Sequence, residues 1–189
     1  MEMGRPFPDE PVVFLKPDSA ILKNNKPFFL PDFSSEIHYE AEVVVRISKL
    51  GKGIEPKFAP RYYDEVTMGI DITARDLQTK LSKARLPWEI SKCFDGAAPV
   101  GRFISASTFQ DINNLNFRLE INGNVVQQSN TADMIFSVNE IISYVSRFFT
   151  LKTGDLIFTG TPAGVGPLKK NDHLVAYLED APLLDFMIR

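Results

Sequence analysis

At 189 residues, 44% hydrophobic and 24% charged, the chain is long enough to bury the core of one domain and has the balance of a globular protein. Its net charge of −3 gives no electrostatic case for binding nucleic acid or an anionic membrane surface. With two histidines and a single cysteine, Cys93, there is no pair for an internal disulfide and little material for a Cys/His zinc centre, so a metal here would be held mainly by oxygens.

No apolar run approaches the roughly 20 residues of a membrane helix, and the start, MEMGRPFPDE, lacks the basic and apolar blocks of a signal peptide. A cytoplasmic protein without membrane or nucleic-acid partners is expected. Residues 1–10 carry Pro6 and Pro8 and read as irregular, and residues 11–189 read as the domain proper. Residues 12–15, VVFL, predict a short strand closed by Lys16-Pro17. Pro27 and Pro31 mark residues 23–33 as turns. Residues 41–47, AEVVVRI, predict a buried strand ended by Gly51 and Gly53. Residues 62–72 read as a helical turn leading into a strand over 68–71. Residues 74–82, ARDLQTKLS, have helical composition, and the helix stops before Pro87. A long connection with two prolines and two glycines spans 87–101.

Residues 116–121 alternate cleanly, Phe117, Leu119 and Ile121 against Asn116, Arg118 and Glu120; Asn122-Gly123 and Val125-Val126 follow, which predicts a tight hairpin. Residues 137–149 give the strongest helix, with Ser137 and Glu140 as a capping box and Ile141, Ile142, Val145, Phe148 and Phe149 as an apolar stripe. Strands are expected at 156–158, 174–178 and 183–188, the first followed by the Gly/Pro-rich run TGTPAGVGP, residues 159–167. Many strands, few helices and long loops predict a β-rich α+β fold.

The chemistry concentrates in HYEAEVVVRI, residues 38–47. His38, Glu40 and Glu42 occupy alternate positions, and alternate strand side chains share a face. Two carboxylates side by side on an apolar strand repel, and burial penalises each further. A proton on one of them, a cationic side chain or a divalent cation relieves this; an exposed, solvated face is the competing reading. Asp71 falls at a strand end, where functional groups are common. Arg75 and Gln78 share a helix face, and a guanidinium fork suits a substrate carboxylate, although Arg75 also has Asp76 as a surface partner and Gln78 has solvent. The glycines of 159–167 allow close backbone approach to a ligand, but their spacing is neither a Walker loop nor a dinucleotide fingerprint. Lys92 is a solvated loop charge unless it faces developing negative charge. His38 is a ligand or a hydrogen-bond partner behind one, Cys93 a small buried hydrophobe, and His173 a turn residue.

The segments HYEAEVVV, GIDITARDLQ, LPWEISKCFD, NGNVVQ, MIFSVNEIISYVS and LKTGDLIFTGTPAGVGPL, in that order, resemble the fumarylacetoacetate hydrolase family. The likeness runs from Pro11 to the end and is nearest to its small single-domain acylpyruvate hydrolase and oxaloacetate decarboxylase members. It implies a homodimer of rolls built from several sheets. It also implies a Mg²⁺ or Mn²⁺ ion on Glu40, Glu42 and Asp71, a 2-oxo acid pocket lined by Arg75, Gln78, Lys92 and Thr161, and His38 behind the ligands. The implied activity is cleavage of a C–C bond in a 2-oxo acid through a pyruvate enolate, with Lys92 as a catalytic charge. The alternatives are an isomerase or decarboxylase of 2-hydroxyhepta-2,4-diene-1,7-dioate-type intermediates and a silent metal- and oxo-acid-binding protein. Glu2 matches the family's water-activating glutamate, whose histidine partner would fall ahead of Met1. On this reading residues 1–10 are the remnant of a lid segment, and decarboxylation depends less on the missing base than hydrolysis does.

Overall fold

A computed structural model describes residues 8–189; the expectation for Glu2 lies outside the described residues. The fold is α+β and β-rich. One antiparallel sheet orders Leu156–Phe158, Ala41–Ile47, Tyr63–Ile70 and Ile104–Ser105. A second orders Ala181–Met187, His173–Leu178, Asn116–Ile121 and Asn124–Asn130. A small third sheet joins Gly166–Pro167, Ile37–Tyr39 and Thr73–Ala74, and Ile21–Leu22 pairs in parallel with Ala98–Pro99. Helices Arg75–Ala84, Glu89–Lys92 and Val138–Phe148 pack around these strands. Among the described residues no helix is long and apolar enough to cross a membrane.

One hydrophobic cluster joins both four-stranded sheets, with Val43, Val45, Met68 and Ile70 from the first and Leu119, Leu174 and Leu184 from the second. This explains the sequence of Ala41–Ile47. The strand is covered on both faces, so six of its seven residues are buried and it reads as an apolar run rather than a strict alternation. The Asn122-Gly123 turn takes φ of 53° and 79°, the left-handed pair that a two-residue hairpin requires. The Ser137–Glu140 capping box forms in both directions.

Local composition and tertiary pairing part company at several positions. Residues 12–15 form no strand; they are exposed, and among the described residues no strand pairs with them. The strand expected at 68–71 starts earlier, at Tyr63, stops at Ile70, and is preceded by a 3₁₀ turn over Pro56–Arg61. The connection 87–101 contains the short helix Glu89–Lys92 and the strand Ala98–Pro99. His173 opens a strand and bonds Asp185 at 2.6 Å, so it is no turn residue. Cys93 is only half-buried and donates to the Leu15 carbonyl at 3.0 Å.

Gly69 sits opposite Glu42 in the first sheet. A Cβ there would lie 2.6 Å from the Phe158 ring and 2.7 Å from a Val44 methyl. Gly69→Ala should therefore overpack the strand pair that carries Glu42 and cost about 1–3 kcal/mol, a fall in Tm of roughly 2 to 12 °C by differential scanning calorimetry.

Candidate functional site

The chain changes sheets where the acids stand. Ile37–Tyr39 pairs with Thr73–Ala74 in the small sheet, and Ala41–Ile47 pairs with Tyr63–Ile70 in the large one. Both strands break between these pairings, at Glu40 and at Asp71-Ile72, and the Asp71 N–H donates to the Glu40 carbonyl at 2.8 Å across the break. The break carries Glu40 and Asp71 towards Glu42. Ligand oxygens of Glu40, Glu42 and Asp71 all lie within 4.8 Å of one another, and all three residues are buried. Burial removes the solvated-face reading of the two glutamates.

Cationic side chains surround the acids. Lys92 Nζ bridges Glu40 Oε2 at 2.7 Å and Asp71 Oδ2 at 2.6 Å. Arg75 reaches Glu40 Oε1 and Gln78 Oε1, each at 2.5 Å, and makes no ion pair with Asp76, which instead accepts from Ser34 and Ser35. Gln78, far from being solvated, is buried. Lys16 was read as the end of a strand, yet its Nζ stands 2.7 Å from Asp71 Oδ1 and donates to the carbonyls of Lys92 and Ala97. The signal for Lys16 is a lysine placed directly after the apolar run of residues 12–15. His38 lies in the small sheet, bonded to Glu36 at 2.9 Å and to Arg75 Nε at 3.4 Å. It touches the guanidinium that grips Glu40.

The Gly/Pro-rich loop closes the other side. The Gly160 N–H donates to Glu42 Oε2 at 2.6 Å, with Gly160 at φ 98°, a conformation open to glycine. The Thr161 hydroxyl donates to the Ala41 carbonyl and accepts from Gln127 Nε2, both at 2.9 Å. Here that hydroxyl anchors the loop to the strand. Gln127, which sequence reasoning passed over, accepts from the Ala41 N–H at 2.9 Å and donates also to the Pro162 carbonyl at 3.0 Å. It ties the second sheet and the loop to the strand that bears Glu42.

The acids respond differently to this environment. Burial pushes the Glu42 carboxyl up to about 8, reinforced by the charges of Asp71 and Glu40 and only partly offset by the Gly160 N–H. Burial alone would raise Glu40, but Lys92 and Arg75 together hold it below its ordinary value. Burial raises Asp71 against the pull of Lys16 and Lys92. Burial works against the Lys92 ammonium, yet Asp71 and Glu40 hold its proton above the ordinary lysine range. Burial and the Arg75 charge lower His38, which favours a neutral imidazole.

The donor set fits a hard divalent cation: three oxygen ligands share one focus, as Mg²⁺ or Mn²⁺ prefers. Asp71 Oδ1 adds a specific sign of fit. It is buried with the Lys16 ammonium 2.7 Å away, and a carboxylate oxygen has a second lone pair that a cation could take.

Comparison with known proteins identifies the family. Residues 1–187 match the family described as fumarylacetoacetate (FAA) hydrolase C-terminal. The chain is 40% identical over 174 residues to the oxaloacetate tautomerase YcgM of Escherichia coli, covering 92% of this chain and 80% of that protein. It is 41% identical over 169 residues to the mitochondrial oxaloacetate decarboxylase of Dictyostelium discoideum, covering 89% and 78%. Its structure superposes with a TM-score of 0.88 and 34% identity on the fumarylpyruvate hydrolase of Pseudomonas aeruginosa in complex with Mn²⁺ and pyruvate, covering 93% of this chain and 77% of that one.

Because Glu42 is held neutral in the folded chain up to about pH 8 but ionises near 4.5 when unfolded, its contribution favours the fold below pH 4.5 and is lost as pH rises through 8. Metal-free wild type should lose stability across that window in chemical denaturation with EDTA, and Glu42→Gln, neutral throughout, should give a flatter profile. Gln127→Leu strands the buried Ala41 N–H and should cost about 1–3 kcal/mol, read from the denaturation midpoint.

Proposed function

Since the chain belongs to the fumarylacetoacetate (FAA) hydrolase C-terminal family, we propose that it is a Mg²⁺- or Mn²⁺-dependent enzyme of 2-oxo acids that works through a pyruvate enolate. Its reaction on this reading is cleavage of the bond at C3, by acylpyruvate hydrolysis or oxaloacetate decarboxylation. The observation that carries the proposal is the buried focus of Glu40, Glu42 and Asp71, with Lys92 and Arg75 packed against it. These three acids would hold the cation, which when bound supplies Lewis-acid polarisation of the substrate's keto oxygen.

The chain's own groups do the rest. Arg75 fixes Glu40 and turns the Gln78 amide oxygen towards itself, which leaves the Gln78 NH₂ to donate to the substrate carboxylate. Lys92 keeps its proton because two carboxylates flank it. It therefore stands as a fixed positive charge where negative charge grows as the C3 bond breaks. In decarboxylation the electrons of the C3–C4 bond pass into the enolate and CO₂ departs. In hydrolysis the oxygen of water bonds to the acyl carbon, the bonding pair passes to the pyruvate carbon, and a proton completes pyruvate. That second route needs a general base, the role that the family resemblance gives to Glu2.

A second reading is keto–enol tautomerisation, favoured by the 40% identity to a protein named oxaloacetate tautomerase. It passes through the enolate of the intact substrate, formed as a proton leaves C3 and completed as a proton joins the keto oxygen, without breaking a C–C bond. Product analysis separates the two, because only cleavage releases pyruvate from oxaloacetate or an acylpyruvate.

Glu42→Gln should lose Mg²⁺ binding by calorimetry together with turnover; undiminished turnover would refute the proposal. Lys92→Met should lower kcat by about 10²–10³-fold, as removal of one oriented charge-stabilising group does, while Mg²⁺ binding persists because no ligand oxygen is removed.

A further inference from the structure

Beside the acid cluster lies an open cleft of about 280 Å³, lined in part by Val12, Phe14, Leu86, Trp88, Glu89 and Cys93. It begins where the catalytic charges end. Lys92 Nζ lies 5.5 Å from the Phe14 ring centre, Phe14 meets Trp88 edge-on at 6.2 Å, and Cys93 follows Lys92 directly in the chain. Among the described residues the cleft walls carry no lysine or arginine, and their one charged side chain is the acid Glu89. Val12 is 67% exposed and Leu86 54%, and with Val13 and Phe14 they line one cleft rather than standing apart on the surface.

We propose that this cleft receives the distal end of substrates longer than oxaloacetate and that this end is apolar: among such 2-oxo acids the enzyme prefers those extended beyond C3 by an alkyl or aryl group to those whose chain ends in a second carboxylate. The inference rests on the reading of the acid cluster as a 2-oxo acid site. A pyruvate unit gripped by Lys92 and Gln78 has its C3 substituent as the part free to run past Phe14. An apolar tail there would cover Trp88 and Leu86. A terminal carboxylate would leave water to face Glu89 with no counter-charge among the lining residues. The tail also explains why VVFL, an apolar stretch with no strand partner, lies open at this place.

Calorimetric titration of the Mg²⁺-loaded full chain tests this without turnover. Oxalate serves as the reference ligand, followed by pyruvate, 2-oxohexanoate, 2-oxooctanoate and 2-oxoadipate. Affinity should rise by about three- to fourfold for each methylene buried, and 2-oxoadipate should bind about tenfold or more weakly than 2-oxohexanoate, which has the same carbon chain. In Trp88→Ala the affinity ratio of 2-oxohexanoate to pyruvate should fall towards one. In Glu89→Lys, on an exposed position, the preference should shift to 2-oxoadipate, which keeps the proposal testable if the tryptophan variant does not fold. Oxalate binding with no dependence on tail length, or with 2-oxoadipate the tighter ligand, overturns the apolar cleft and leaves the proposed function standing. Failure of oxalate to bind removes both. If length dependence is absent and Trp88→Ala splits an oligomer in light scattering, the cleft is a contact between copies of this chain and the proposal falls.

Discussion

Three carboxylates buried around one point are the constraint on which this structure turns. Removing a carboxylate from water costs several kcal/mol unless it is paired or neutralised. The chain meets that cost with Lys16, Lys92 and Arg75, and with a proton on Glu42 that persists to about pH 8. Such a cluster is a poor way to stabilise a fold, since apolar residues of similar volume would pack there at lower cost. Its position in the middle of the sheets therefore supports the proposed function, since shifted titration of clustered groups is a common property of active sites.

The scaffold positions the cluster by breaking two paired strands together. An uninterrupted strand through residues 37–47 would keep Glu40 and Glu42 in line but leave Asp71 at the far end of a neighbour. The joint break at Glu40 and Asp71-Ile72 draws the third acid in, while one backbone hydrogen bond holds the crossing. The second sheet supports the arrangement through Gln127, and the glycine loop supports it through Gly160, so each acid is fixed by groups from distant parts of the chain. Side chains held in this way can act on developing charge without reorganising at the moment of reaction.

The polar focus and the apolar cleft divide recognition between them. On the proposed function, the acids, Lys92 and Gln78 would deal with the features that all 2-oxo acids share, and the lining around Trp88 and Leu86 would meet what differs among them. Lys92 stands at the boundary, with its ammonium between Glu40 and Asp71 on one side and the Phe14 ring on the other.

Local chemistry in the sequence determined much of this. The β-branched run of 41–47, the Asn122-Gly123 turn and the Ser137 cap each specify their element through the residues of that segment alone, and all three formed. The alternation of Glu40 and Glu42 was legible for the same reason, and the family resemblance added Asp71, Arg75, Gln78 and Lys92 to the same neighbourhood. Tertiary structure alone decided the rest. Lys16 and Lys92 meet across 76 positions of sequence, a contact that no local periodicity encodes. Unbulged pairing from the Asn122-Gly123 turn would set Val126 opposite Leu119; an irregularity between Leu119 and Glu120 puts Gln127 there instead, and so a buried amide reaches Ala41. Residues 12–15 have the composition of a strand but no partner edge, and a strand is stable only when another chain segment satisfies its backbone. Composition and spacing set what each segment could become, and long-range pairing, which depends on every other segment at once, chose among those outcomes.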